Sequence, residues 1–195
     1  MLKVTAHLIG VSPYSCSAPI QSAKKEGEKS DAYEERTWRE RAHVDQDGHV
    51  FIPPTALKNC LSEMARYRSD SVPGMGKKTY TAFVEAGIMV TDPIVLLNHA
   101  GKPIKLADVG CDRLFVPADG KRGSGKRVWK NFPVVNVWQA TVTFYVLEQV
   151  LINDIKRVQS YLEQAGKFIG MGRFRPRNNG FYGRWKVESF SATEE

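Results

Sequence analysis

The chain has 195 residues, 42% of them hydrophobic, and its 28 Lys and Arg against 21 Asp and Glu give a formal net charge of +7. That length suits one domain with a full core, and the charge favours polyanionic partners. No apolar run approaches a membrane span, the opening residues MLKVTAHLIG carry no signal peptide, and Cys16, Cys60 and Cys111 are too few and too widely spaced for a disulfide framework or a zinc site, so a reducing cytoplasm is expected.

Residues 2–9 alternate Leu2, Val4, Ala6 and Leu8 against Lys3, Thr5, His7 and Ile9, the period of a strand with one buried face, and Ser12-Pro13 ends it. Residues 17–30 are mostly Ala, Ser, Lys, Gly and Glu without apolar period, which predicts a long mobile loop. Residues 34–44 and 49–52 then read as two strands around the hairpin signal Asp45-Gln46-Asp47-Gly48. Pro53-Pro54-Thr55 opens a helix that Thr55 can cap, with Leu57, Cys60, Leu61, Met64 and Ala65 as its buried face and an end near Tyr67. A Gly and Lys loop follows over 71–78, then a strand over 83–90 and an irregular stretch over 98–112.

Residues 114–116, 128–132 and 138–147 read as strands, the last with Trp138, Ala140, Val142, Phe144 and Val146 on one face. Asn153 can cap a second helix with the stripe Ile155, Val158, Leu162, Ala165 and Ile169, released at Gly166 or Gly170. Residues 182–190 form a closing strand and 191–195 a tail. This order predicts an α+β fold: a ferredoxin-like, RRM-like antiparallel sheet with two main helices on one face. It forms a single domain over 1–190, with long inserted loops near 12–48 and 98–130.

The most telling stretch is 168–185, FIGMGRFRPRNNGFYGRW. Gly170, Gly172, Gly180 and Gly183 stand among Arg173, Arg175, Arg177 and Arg184, with Phe174, Phe181, Tyr182 and Trp185 between them and no acid. Glycine admits close backbone approach, guanidinium forks match phosphate oxygens, and aromatics stack on unpaired bases. The plain alternative is a glycine-rich turn with solvated arginines. Residues 120–127, GKRGSGKR, nearly match a phosphate-binding P-loop, but Arg127 replaces the metal-binding hydroxyl and an extended segment follows where a helix is required. The better reading is a basic loop, Lys121, Arg122, Lys126, Arg127 and Lys130 with Trp129 interleaved, that tracks a nucleic-acid backbone. The plain alternative there is a solvated hairpin tip.

Three segments in this order resemble the RAMP superfamily, the RNA-recognition-motif-like proteins of CRISPR systems. LKVTAHLIGVSPYS resembles its opening strand and small-residue turn. GHVFIPPTALKNCLSEMARY is similar to its helix start, an Ile-Pro-Gly-Ser-Ser-Leu-Lys-Gly pattern. Ile52, Pro53, Ala56, Leu57 and Lys58 keep that pattern, while Pro54 and Asn59 stand where glycine is usual. IGMGRFRPRNNGFYGRW resembles its C-terminal glycine-rich loop. Within the superfamily the likeness is to the backbone subunit that polymerises along guide RNA. The FIPP, GKR and GRFRP segments are also similar to those of stand-alone phage-encoded proteins.

The resemblance implies single-stranded nucleic acid, RNA before DNA, in a groove between the central helix start and the loops. Copies would stack head to tail, with other CRISPR effector subunits as further candidate partners. Thr55, Lys58 and Asn59 would meet a phosphate at the helix start. Lys24, Lys25 and Lys29 would sit on a thumb or a neighbour contact, with Lys77 and Lys78 in a further basic loop. Some relatives are metal-independent RNA endonucleases with a histidine base, and RNA-cutting backbone relatives carry an aspartate after the first strand. Here His7, His43, His49 and His99 are scattered, and Asp31 is the one aspartate of the corresponding loop. An assembly protein without hydrolytic activity, cofactor or metal is expected. The alternatives are an endonuclease of the same fold, a phage protein acting on single-stranded DNA, and a decoy of host CRISPR complexes.

Overall fold

A computed structural model describes every residue except 121, 122 and 124. In chain order its main elements are β1 (Leu2–Gly10), β2 (Tyr14–Ser15), α1 (Ser30–Thr37), a 3-10 turn (Trp38–Arg41), β3 (Phe51–Ile52), α2 (Pro54–Arg68), α3 (Tyr80–Gly87), β4 (Ile88–Met89), β5 (Ile94–Val95), β6 (Gly110–Pro117), β7 (Arg127–Val135), β8 (Gln139–Val146), α4 (Gln149–Asn153), α5 (Ile155–Phe168) and β9 (Trp185–Glu194). The central sheet has the order β4-β8-β1-β9, with each neighbouring pair antiparallel. Helix α2 therefore crosses from β1 to β4 and α5 from β8 to β9, the split β-α-β connection of ferredoxin-like domains. The expected α+β fold is present.

The alternation read from the sequence places the core. Val4, Ala6 and Leu8 of β1 and Ala140, Val142, Phe144 and Val146 of β8 are fully buried. They pack against Leu57, Cys60, Leu61 and Met64 of α2 and Val158, Leu162 and Ala165 of α5. Each large aliphatic side chain buried this way contributes about 1.5–3 kcal/mol, more than the roughly 0.7 kcal/mol that separates most residues in helix propensity. Packing therefore decides the conformation wherever the two disagree.

They disagree at α3. Phe83 and Val84 favour a strand locally, yet residues 80–87 form a helix that buries Tyr80, Val84 and Gly87, and only Ile88–Met89 is extended. The Tyr80 hydroxyl donates to Asp154 Oδ2 at 2.7 Å and its ring meets Tyr161 edge-on. Residues 34–44 likewise form no strand. Ser30–Thr37 is helical and Trp38–Arg41 a 3-10 turn, tied by Arg41 to Glu34 at 2.8 Å and Arg36 to Glu28 at 2.9 Å. The Asp45–Gly48 turn itself is present, closed by the Gly48 N–H donating to the Asp45 carbonyl.

Three further expectations need correction. Pro53, not Thr55, precedes α2, and no side chain caps that helix. Asp154, not Asn153, caps α5, its side chain accepting the Arg157 N–H. Residues 191–194 are no tail: β9 runs to Glu194, paired with Leu2, so the two ends of the chain lie side by side. The 17–29 segment is held down by the Tyr33 hydroxyl on the Ser22 carbonyl, by Glu40 accepting the N–H groups of Gln21 and Ser22, and by the Ala18 N–H on the Arg41 carbonyl. Among the described residues no helix is long and apolar enough to cross a membrane.

A second sheet, β2-β7-β6, stands beside the central one. Strands β6 and β7 form an antiparallel ribbon that pairs Arg113 with Asn131, Phe115 with Trp129 and Pro117 with Arg127. This ribbon and the glycine-rich loop after α5 frame the candidate site.

Candidate nucleic-acid interface

The glycine-rich loop folds back on the turn after β1. The Arg173 N–H donates to the Ser15 carbonyl at 2.9 Å and the Gly183 N–H to the Pro13 carbonyl at 2.7 Å. Gly172 (φ +81°) and Gly183 (φ +69°) sit in the left-handed region, and a Cβ on Gly183 would lie 1.8 Å from the Met171 carbonyl oxygen. These glycines are needed for the chain to pack on itself.

The arginines of this loop divide. The Arg173 guanidinium lies 3.1 Å from the Phe132 ring centroid and 3.9 Å from that of Phe174, and its buried Nη1 has no hydrogen-bond partner among the described residues. Burial lowers its pKa to about 10, partly offset by Tyr182 and Asp112. Phe174 is held at φ +47°, a conformation a bulky residue adopts only when its surroundings impose it. Arg175 and Arg177 both reach Glu63 of α2, at 2.8 and 3.2 Å. The loop is thus pinned to β7 by one arginine and to α2 by two.

Between this loop and the ribbon runs an open cleft of about 830 Å³, lined among others by Arg41, Arg127, Lys130, Phe132, Arg173 and Phe174. Lys130 Nζ donates to the Ala118 carbonyl at 3.1 Å and Arg127 to that of Phe115, so both cations are braced by backbone oxygens and neutralised by no carboxylate in these contacts. Arg41 is paired with Glu34. Phe174 remains 39% exposed at the rim. Cations of the ribbon and a half-exposed ring that line one recess provide phosphate attraction and a stacking face together.

The residues singled out from sequence are only partly gathered here. Arg127 and Arg173 line the cleft, and Lys126 is exposed beside Arg127. Lys121 and Arg122 lie outside the described residues. Lys58 points inward: its Nζ donates to the carbonyls of Val84 and Glu85, both at 2.8 Å, closing the end of α3, and burial lowers its pKa. Thr55 and Asn59 are exposed on α2, Asn59 one turn before Glu63. Lys24, Lys25 and Lys29 are exposed on the 17–29 segment, and Lys77 and Lys78 on the loop before α3.

Asp31 lines a separate recess of about 350 Å³ with Glu34, Glu35, Arg113 and Trp129. Asp45, Asp47 and His49 bring potential ligand atoms within 4.8 Å, but Asp45 Oδ1 accepts the N–H groups of Asp47 and His49, which is the turn's own bonding. The contributions of Arg41, Phe115 and Phe132 to the cleft were missed. The available signal was that Phe115 and Phe132 fall in the neighbouring strands read over 114–116 and 128–132.

No protein-family model and no curated protein sequence matches the chain. Solved structures do. The crystal structure of Cmr6 from Pyrococcus furiosus superimposes with a TM-score of 0.54 at 13% identity, over 96% of this chain and 99% of that one. A chain of the cryo-EM structure of the Type III-B Cmr-beta bound to cognate target RNA matches with a TM-score of 0.53 at 8% identity, over 99% of this chain. It is matched over 61% of its own length, so the present chain spans about three fifths of it. At such identities the likeness establishes the fold, and that fold, end to end, is the one Cmr6 adopts.

Proposed function

We propose that this chain is a RAMP-superfamily protein that binds single-stranded nucleic acid, RNA in preference, in the cleft between the glycine-rich loop and the β6–β7 ribbon. Copies assemble head to tail along the strand, in the manner of a CRISPR effector backbone subunit. The observation that carries this reading is the cleft itself: Arg127 and Lys130, which among the described residues bond to backbone carbonyls, line it together with the Phe174 ring that Arg173 contacts. Phosphates meet the ribbon cations and a base meets Phe174, while Arg173 acts as a positioning residue. The RNA preference is supported by the sequence resemblance and by the target RNA on the Cmr-beta neighbour. Head-to-tail assembly is supported by the resemblance and by the exposed lysines of the 17–29 segment, and a non-closing interface of that kind builds helices. The protein performs no hydrolysis in this reading and works in the cytoplasm.

The test is binding of labelled 30-nucleotide RNA and DNA at several salt concentrations, followed by light scattering with and without a long strand. Salt-sensitive binding with little sequence preference, and mass that grows with strand length, are expected. Negligible affinity for both strands at low salt overturns the binding claim, and isolated monomers on the strand overturn assembly. Labelled RNA should stay intact with magnesium; cleavage that disappears in Asp31→Ala would instead establish an endonuclease.

A further inference from the structure

The exposed side of the β6–β7 ribbon carries an arrangement of which the cleft takes in only Phe115 and Arg127. Cross-strand register sets Phe115 against Trp129, their ring centroids 5.2 Å apart. Arg113 lies 5.2 Å from the Trp129 centroid at one end, and Arg127 lies 5.4 Å from the Phe115 centroid at the other. The result is a four-member ladder, Arg113–Trp129–Phe115–Arg127, with no acid in it. Phe115 is 46% and Trp129 49% exposed. An aromatic cross-strand pair left half in water forgoes much of the stabilisation that burying it would give, so its stability role is small.

The position of the ladder restricts what it receives. Phe115 and Arg127 also line the cleft, so the ladder continues that recess outward. At its far end Arg113 and Trp129 border the smaller recess where Asp31, Glu34 and Glu35 of α1 gather. Flat rings bracketed by guanidiniums suit unpaired nucleobases with phosphates alongside, and the carboxylates beyond Trp129 repel a further phosphate. We infer that the ladder is a stacking platform for two unpaired nucleobases of the strand that leaves the cleft, and that the α1 acids end the track. The inference rests on the strand-binding reading proposed above, and it adds a site, a ligand class and a direction to it. Every base has a π-face, so RNA and DNA are both accommodated.

The chain supplies its own reporter. Trp38, Trp138 and Trp185 are buried at 6%, 2% and 1% exposure, which leaves Trp129 as the accessible indole. The experiment titrates the full-length protein with 12-nucleotide oligo-U and oligo-dT, following tryptophan emission, acrylamide quenching and anisotropy of the labelled strand together. Bound strand should quench the accessible emission and shield it from acrylamide. Trp129→Phe should abolish that signal, which assigns it to this indole. Trp129→Ala and Phe115→Ala should each weaken binding by roughly 5- to 150-fold, the usual loss per stacked base. Circular dichroism melts confirm that these surface variants stay folded.

Binding that leaves Trp129 emission and acrylamide access unchanged overturns the platform alone. Absence of any binding to the wild type overturns both readings. A Trp129→Ala variant that changes the protein's mass without nucleic acid, at unchanged strand affinity, assigns the ladder to a protein contact and also overturns it.

Discussion

Replacing Arg173 separates a positioning arginine from a phosphate contact. Its guanidinium touches the faces of Phe132 and Phe174 at 3.1 and 3.9 Å, largely out of water. Cation–π contacts of this kind contribute roughly 0.5–2 kcal/mol each according to desolvation. Against the two contacts stands the buried Nη1 without a partner, whose loss returns part of the difference. Arg173→Ala should therefore cost about 2 kcal/mol net, or roughly 4–8 °C in melting temperature for a chain of this size. Arg173→Lys should recover little of it, since an ammonium cannot lie flat between two rings. Strand affinity should fall as Phe174 loses its support, but the dependence of log affinity on log salt should keep its slope, because no phosphate contact is removed. Thermal melts and anisotropy at several salt concentrations give both quantities. A variant that melts like the wild type while its salt slope drops by about one would refute this reasoning and return Arg173 to the phosphate track.

Glu63→Gln should strengthen binding. It releases Arg175 and Arg177, lost stability stays near 1 kcal/mol because the pairs are part-exposed, and the salt slope steepens by about one per new phosphate contact. An unchanged slope, read by anisotropy, would remove those arginines from the track. Lys58→Ala should destabilise by about 1–2 kcal/mol in denaturant melts through the two lost bonds to the end of α3, with strand affinity unaltered; the reverse pattern would make Lys58 a ligand contact. The Glu28 carboxyl is lowered to about 2, chiefly by its bond from Arg36 and then by the Lys25 N–H. A depressed carboxylate stabilises fully above its ordinary value and loses that contribution as pH falls through the folded one, so the 17–29 segment should stay tied until close to pH 2. A carboxyl NMR titration of Glu28 checks this, and an ordinary midpoint counts against the tie.

The parts of the fold legible in the sequence were those whose packing follows a short period. Strands β1 and β8 alternate visibly, and α2 and α5 carry continuous apolar stripes. Helix α1 was hidden because its residues carry no apolar stripe, Thr37 alone being buried, and its support comes from Arg41, Glu28 and Ser22 outside it. Helix α3 was hidden because Tyr80 finds its partners in α5 and its cap, far along the chain. Residues 191–194 look like a solvated tail until the first strand is laid beside them. The site followed the same rule. That residues 168–185 and 120–130 are basic and aromatic was plain, but the role of each arginine depends on a distant partner: Phe132 for Arg173, Glu63 for Arg175 and Arg177. Lys58 looked like a phosphate ligand by motif and is a helix cap by geometry.

The most direct test of the cleft as the strand-binding surface is the salt dependence of single-strand RNA affinity for the wild type and for the double variant Arg127→Gln, Lys130→Gln. The account predicts a steep negative slope for the wild type, a slope shallower by about two in the double variant, and weaker binding to all sequences alike. Equal slopes and equal affinities in two proteins with the same melting temperature would contradict it.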